Sequence, residues 1–208
     1  MAGVPSPSRK RRAALAFKAH IGWAYGVLVA EADGSVEIVA KQRVTMRETF
    51  EAAAVYHVGH ERGLSAKEVQ PTIDAALLAS VARAKEAIGA LAASAGERCS
   101  LDVAAVLAGS GRPLPALDII LRSHPLVHAA EGEMYRLALV RACEAMGFRV
   151  VRLPAKSLPA RAQEVLGLTQ SAARARLDSA GAASGRPWAA EQRECALAAW
   201  VALASLKQ

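Results

Sequence analysis

The stretch AALAFKAHIGWAYGVLVAEADGSVEIVAKQRV, residues 13–44, reads as three β-strands in a meander. Over residues 13–19, Leu15 and Phe17 alternate with Ala16 and Lys18, so the two pairs face opposite sides of a sheet. Residues 24–32 form a second apolar strand. Asp33-Gly34 is a strong two-residue turn signal, and residues 36–44 return as a third strand. All three strands are then antiparallel. The loop from Lys18 to Trp23 lies at one end of the sheet they build.

Downstream, the pattern changes to alternating helices and strands. Residues 49–62 carry helical periodicity up to Gly63. Ser65 with Glu68 three residues on is a capping box, which starts a longer helix running to about Ala95. Pro71 has to sit in its first turns or mark a break. Residues 101–108 are a short apolar run read as a buried fourth strand, closed by Gly109-Ser110-Gly111. Residues 117–122 make a short helical turn. A central helix follows, then Gly147 and a fifth strand over 148–153. Helices over 157–166 and 169–179, a small-residue loop over 181–187 and a largely buried helix over 188–207 complete the chain.

The central helix, within RSHPLVHAAEGEMYRLALVRACEAMGFRVV (122–151), carries the densest chemistry. Glu131, Met134, Tyr135, Ala138, Leu139, Ala142 and Met146 share one face. Glu131 heads that apolar stripe as a first-turn carboxylate, favoured by the free N–H groups of a helix start. A helix packed on a sheet also aims such a residue at the sheet's carboxyl edge, where α/β sites are built. Glu133 points about 200° away and reads as solvated. His124 and His128 flank Pro125, a residue suited to the first helical position. They lie one turn apart with Glu131 three residues on, an arrangement that can supply a His/His/carboxylate metal set. Surface or capping histidines are the commoner use of such residues.

Composition narrows the class. The 208 residues suffice for one good-sized domain, and 53% are hydrophobic, much of that alanine suited to close helix packing. Charges interrupt every apolar run before it reaches the length of a membrane span. Cys99, Cys143 and Cys195 are scattered and contain no CxxC pair, which fits a reduced, cytoplasmic protein without a disulfide framework. The net charge is +7 and the isoelectric point about 9.7. Arg9, Lys10, Arg11 and Arg12 belong to a basic arm, read as disordered over residues 1–12, with a single domain over 13–208. Such an arm suits phosphates, which makes DNA or RNA a reasonable partner, and is also common as a solubilising tail. His20 and Trp23, at the loop after the first strand, are further nucleic-acid-binding candidates, the indole by base stacking.

Three antiparallel strands, a helix, a strand, a helix, a strand and closing helices is the order of the ribonuclease H-like fold, an α/β architecture with a five-stranded mixed sheet. Leu15-Ala16-Phe17-Lys18 followed by Gly22-Trp23-Ala24 resembles the first strand and turn of RuvC-type Holliday-junction resolvases. Glu194-Cys195-Ala196-Leu197-Ala198-Ala199-Trp200 is similar to their acid-then-alanine closing helix. The resemblance implies a bacterial nuclease that holds magnesium or manganese on several carboxylates, the ions flanking the reacting phosphate. Lys18 stands where that group carries an aspartate, and residues 108–111 supply no acid. Glu194 matches the closing-helix acid, and Glu131 is the candidate for another metal ligand.

Three arrangements follow for the catalytic candidates Lys18, His128, Glu131 and Glu194. Lys18 pairs with Glu131 or Glu194 as a structural ion pair; or it holds a phosphate as a point charge; or His20, His128 and the two glutamates form a rearranged metal or acid/base centre. The leading expectation is a nucleic-acid-binding, resolvase-like domain with its nuclease centre altered or lost. The alternatives are an active metal-dependent endonuclease using Glu131 and Glu194, and a structural or regulatory protein, a homodimer for instance, assembled through alanine-rich helices. Actin-like ATPases share the opening hairpin but require an acidic phosphate loop after the first strand. P-loop and Rossmann fingerprints are absent, and Gly109-Ser110-Gly111 lacks the spacing of a nucleophile elbow.

Overall fold

In the computed structural model, which describes residues 10–32, 34–109 and 111–206, strand β1 (Arg11–His20) pairs antiparallel with β2 (Trp23–Ala32), and β2 with β3 (Ser35–Thr45). The meander therefore forms as its alternating pattern predicts. The turn residue Asp33 and the arm residue Arg9 lie outside the described residues. Strand β4 (Cys99–Ala108) runs parallel to β1, and β5 (Arg149–Pro154) parallel to β4. The order across the five-stranded mixed sheet is β3-β2-β1-β4-β5. The carboxyl ends of β1, β4 and β5 thus share one rim.

Alternation along β1 divides the core into two layers. Leu15 and Phe17 pack with Ile88 and Leu91 of α3 (Ala66–Ala93) and with Tyr135 and Leu139 of α5 (His124–Ala145). Ala14 and Ala16 pack with Ala198, Ala199 and Trp200 of α8 (Ala190–Ser205). Alanines on β1 and α8 let helix and sheet approach closely, and the large side chains of the opposite face fill the thicker layer. Burial of one such side chain, Phe17 for example, contributes about 1.5–3 kcal/mol. Of the remaining helices, α1 (Phe50–Ala53) adjoins α2 (Val55–Glu61), α2 and α4 (Leu117–Ile120) pack on α5, α6 (Leu158–Leu166) packs on α8, and α7 (Gln170–Ala183) packs on α8 and the edge strand β3. No helix among the described residues is long and apolar enough to cross a membrane.

Several local signals act as read. Glu68 accepts from the Ser65 N–H at 2.8 Å, and Ser65 Oγ accepts from the Glu68 N–H at 3.4 Å, completing the capping box of α3. Pro71 sits in the second turn of that helix, which continues through it.

The structure also corrects some expectations. The helix expected over 49–62 is two helices, broken at Ala54 (φ −95°, ψ 50°). Tertiary partners sustain the break: the Tyr135 hydroxyl donates to the Ala53 carbonyl at 2.8 Å, and Glu131 accepts from the N–H groups of Tyr56 and His57 at 3.4 and 3.3 Å. Gly181, expected to open a loop, lies inside α7, where a Cβ would overlap the Trp188 indole. Arg11 and Arg12, expected in a loose arm, belong to β1; Arg11 pairs with Glu37, and Arg12 donates to the Leu203 carbonyl at 3.2 Å. Helix α5 starts at His124, so Glu131 stands about two turns in rather than in the first turn.

Candidate functional site

The rim at the carboxyl ends of β1, β4 and β5 carries the first group of candidates. Lys18, near the end of β1, faces the α8 side of the sheet with Ala14 and Ala16. Its Nζ donates to Glu194 Oε2 at 2.7 Å and lies 3.2 Å from Glu191 Oε1. Both acids are in the first turns of α8, where the helix dipole favours carboxylates. Burial pulls the Lys18 pKa down, but hydrogen bonds to Glu194 and Glu191 outweigh it and the net shift is upward. The side chain is therefore an ammonium at neutral pH, held in a partly buried ion pair.

The aromatic candidates adjoin this pair. His20 Nε2 lies 3.2 Å from Glu191 Oε1, within charge-pair range but without a hydrogen bond. The His20 ring stacks on Trp23, with centroids 4.1 Å apart and planes 6° off parallel, while the Arg43 guanidinium carbon sits 4.2 Å from the Trp23 ring centroid. Two groups at that distance cannot share one face of an indole, so both faces are covered. Trp23 is thus a packed cross-strand residue in this conformation, not an open base-stacking platform as expected. Lys10, by contrast, is exposed at the opposite end of β1.

The end of β4 is also cationic. The Arg136 guanidinium lies against Gly109, where a Cβ would sit 3.0 Å from Nη2, and against Gly132, where the nearest nitrogen would be 3.2 Å away. Glycine at both positions makes room for it. Arg136 Nε donates to Glu133 at 2.9 Å, and Arg152 of β5 also pairs with Glu133. Burial opposes ionisation of Glu133, but the two arginines together hold its carboxyl below the usual range. Arg112, Glu133, Arg136 and Arg152 line a cleft of about 820 Å³ at the ends of β4 and β5. Glu133 was expected on a solvated face; the missed signal is Arg136 three residues on, the spacing of an intrahelical ion pair.

The second group lies across the sheet. Glu131 is fully buried beneath α2, on the α3/α5 side. Its Oε2 is 2.6 Å from His57 Nδ1, and it accepts the free N–H groups at the start of α2. Burial is the largest influence on this carboxyl and moves its pKa upward in spite of those hydrogen bonds. His57, which sequence reading missed, is itself buried and stands beside His124 and His128, ring centroids 5.5 and 4.4 Å away. His60 joins the group, with Nδ1 donating to the Leu121 carbonyl at 2.7 Å. Four of the chain's five histidines therefore meet at the start of α5. Two of them, His57 and His60, come from VYHVGHE, whose paired histidines were the available signal.

The structure thus unites Lys18 with Glu194, and Glu131 with histidines, but sets the two groups on opposite faces of the sheet. A shared metal site of Glu131 and Glu194 is not assembled, Lys18 does not pair with Glu131, and His128 is not near His20. The reason is the alternation along β1: Lys18 follows the parity of Ala16, which faces α8, whereas α5 packs on the parity of Phe17.

No family model and no curated protein matches the sequence. Solved structures do. A structure of Thermus thermophilus RuvC matches with a TM-score of 0.53 at 11% identity, covering 94% of this chain and 95% of that one. T. thermophilus RuvC in complex with a Holliday junction substrate matches with a TM-score of 0.53 at 12% identity and the same coverage. The fold is ribonuclease H-like, with the strand order and mixed pairing described above.

Proposed function

We propose that this chain is a RuvC-like nucleic-acid-binding domain whose rim holds phosphates with protein cations and does not hydrolyse them. The observation that carries the reading is the presence of a cation at both strand ends where the resemblance implies acids. Lys18 occupies the end of β1, and the Arg136 guanidinium covers Gly109 beyond β4. The T. thermophilus protein of the same fold is described with a Holliday junction as its substrate, which makes branched DNA the first ligand to try.

Magnesium or manganese does not suit this donor set. Either ion takes oxygen ligands and compensates clustered negative charge. Here Lys18 bridges Glu191 and Glu194 and offsets one of their two charges, and Gly109 brings no oxygen-bearing side chain. An ammonium between the acids repels a divalent ion from the same place. Phosphate, in contrast, suits Arg136 and Arg152, which offer planar N–H forks against the single charge of Glu133.

The test is a salt-titrated binding and cleavage assay on four-way-junction, duplex and single-stranded DNA and on RNA. The expected result is binding that weakens steeply between 50 and 200 mM salt, on the order of 10³-fold for about six phosphate contacts, with no cleavage in magnesium or manganese. Metal-dependent cleavage abolished by Glu194→Gln overturns the reading in favour of an active nuclease. Absence of binding to every form, with a stable oligomer in solution, favours a protein-interaction role for the alanine-rich helices.

A further inference from the structure

The structure assigns a transition-metal site to His57, His124 and His128, on the opposite side of the sheet from the Lys18 rim. We propose that it takes zinc, clamping α2 to the start of α5. One ring nitrogen from each histidine lies within 4.8 Å of the other two. His124 Nε2 and His128 Nε2 are already 2.9 Å apart. In a tetrahedral site with Zn–N bonds of about 2.05 Å, ligand nitrogens stand about 3.3 Å apart. Small side-chain rotations of the two exposed histidines bring the group to that spacing.

His57 supplies the second, independent observation. It is 6% exposed, and its Nε2 is buried without a hydrogen-bond partner. Buried polar nitrogens are nearly always paired, so an orphan beside two further imidazoles marks a vacant interaction. Its other nitrogen, Nδ1, lies 2.6 Å from Glu131 Oε2. A carboxylate there accepts the Nδ1 proton and leaves the Nε2 lone pair directed away from it. This is how a carboxylate behind a metal-bound histidine sets the tautomer and orients the ring. Glu131 is in turn held by two backbone N–H groups of α2, so the orienting carboxylate is itself fixed.

The donor set selects the ion. Three neutral imidazoles suit zinc, cobalt, nickel or copper, and offer nothing to magnesium or calcium, which take oxygen ligands. The buried Glu131 carboxylate adds the negative charge that a divalent ion requires nearby. His124 and His128 are exposed, which leaves the fourth position open to water. The set differs from the one expected of His124, His128 and Glu131. The glutamate acts through His57 instead of ligating, because two turns of α5 and the α2 backbone hold it beneath the histidines.

The test uses the full chain without an affinity tag, stripped with a chelator. It is titrated with zinc, cobalt and magnesium, with calorimetry and thermal melts read in parallel. One zinc per chain, a rise in melting temperature with zinc and none with magnesium, and an intense visible cobalt band of four-coordinate type are expected. The exposed positions give the decisive variants, since neither is needed to fill the core: His124→Ala and His128→Ala each weaken zinc binding at least tenfold, and together abolish the cobalt band. Glu131→Gln weakens zinc binding about 10–100-fold, the usual effect of removing such an orienting group. The assignment is overturned if zinc neither binds nor shifts the melt, or if binding survives in the His124/His128 double variant. Neither result touches the nucleic-acid reading, which rests on Lys18 at the rim and on Arg136 and Arg152 in the cleft at the ends of β4 and β5.

Discussion

Lys18 Nζ donates to Glu194 Oε2 at 2.7 Å, joining the end of the first strand to the first turns of the last helix across 176 residues of chain. The pair closes the rim at the place where the family resemblance implies carboxylates around a metal ion. A lysine between two acids, each about 30% exposed, puts an ammonium where such an ion would sit and halves the negative charge there.

Removing the lysine therefore costs stability without changing the fold. Lys18→Met leaves Glu194 without its ammonium partner and Glu191 beside His20, and is expected to lower unfolding free energy by about 1 kcal/mol, the upper range for a solvent-accessible pair. Lys18→Asp places three acids together and is expected to cost more in chelator, with the loss reduced by millimolar magnesium. Urea melts with and without magnesium check both. If Lys18→Asp is indifferent to magnesium, the rim cannot form a metal site even with its acid restored.

The same pair sets an alkaline dependence. The folded Lys18 pKa lies above its ordinary value, so its contribution is fully present below about 10.5, the unfolded lysine value. It is lost as pH rises through the folded pKa. The stability gap between the native chain and Lys18→Met should thus be constant from pH 7 to 9 and shrink as pH rises past the unfolded lysine value of about 10.5.

Glu133 gives the acid counterpart. Arg136 and Arg152 hold its carboxyl below the ordinary range. Its contribution is present above the unfolded glutamate value of about 4.3 and lost as pH falls through the folded pKa. Glu133→Gln should be less stable than the native chain at pH 7, and the difference should close as urea melts are taken towards pH 3.

For nucleic acid, Arg136→Ala and Arg152→Ala are expected to weaken binding to all sequences alike. Each should reduce the slope of log affinity against log salt by about one, the signature of a lost phosphate contact. Anisotropy titrations at several salt concentrations measure both quantities. Unchanged slopes would move the phosphate contacts elsewhere on the surface.

Gly181→Ala tests the packing of α7 on the segment before α8. A methyl group there overlaps the Trp188 indole, whose Nε1 donates to Asp178 at 3.1 Å. Displacing the ring also disturbs Arg193, which pairs with Asp178 at 2.6 Å. A cost of about 1–3 kcal/mol is expected, as for other overpacked sites, measurable by thermal melts.

Local physics was readable from the chain alone. Period-two alternation gave the meander, Ser65 and Glu68 started α3, and the helix read over 157–166 ends at Leu166, with Gly167 (φ +64°) as its left-handed cap. The partnership of Lys18 with Glu194 was among the alternatives through the family resemblance, which matches Lys18 and Glu194 to two positions of one site; local pattern alone does not join residues 176 apart. The break at Ala54 and the burial of Glu131 were not readable, because the groups that stabilise them come from an element some 75 residues away. Nor could spacing bring His57 to His124 and His128. Periodicity says which residues share a face of their own element, but which face of the sheet that element covers is decided by packing, and that choice separated Glu131 from Glu194 and gathered four histidines in one place.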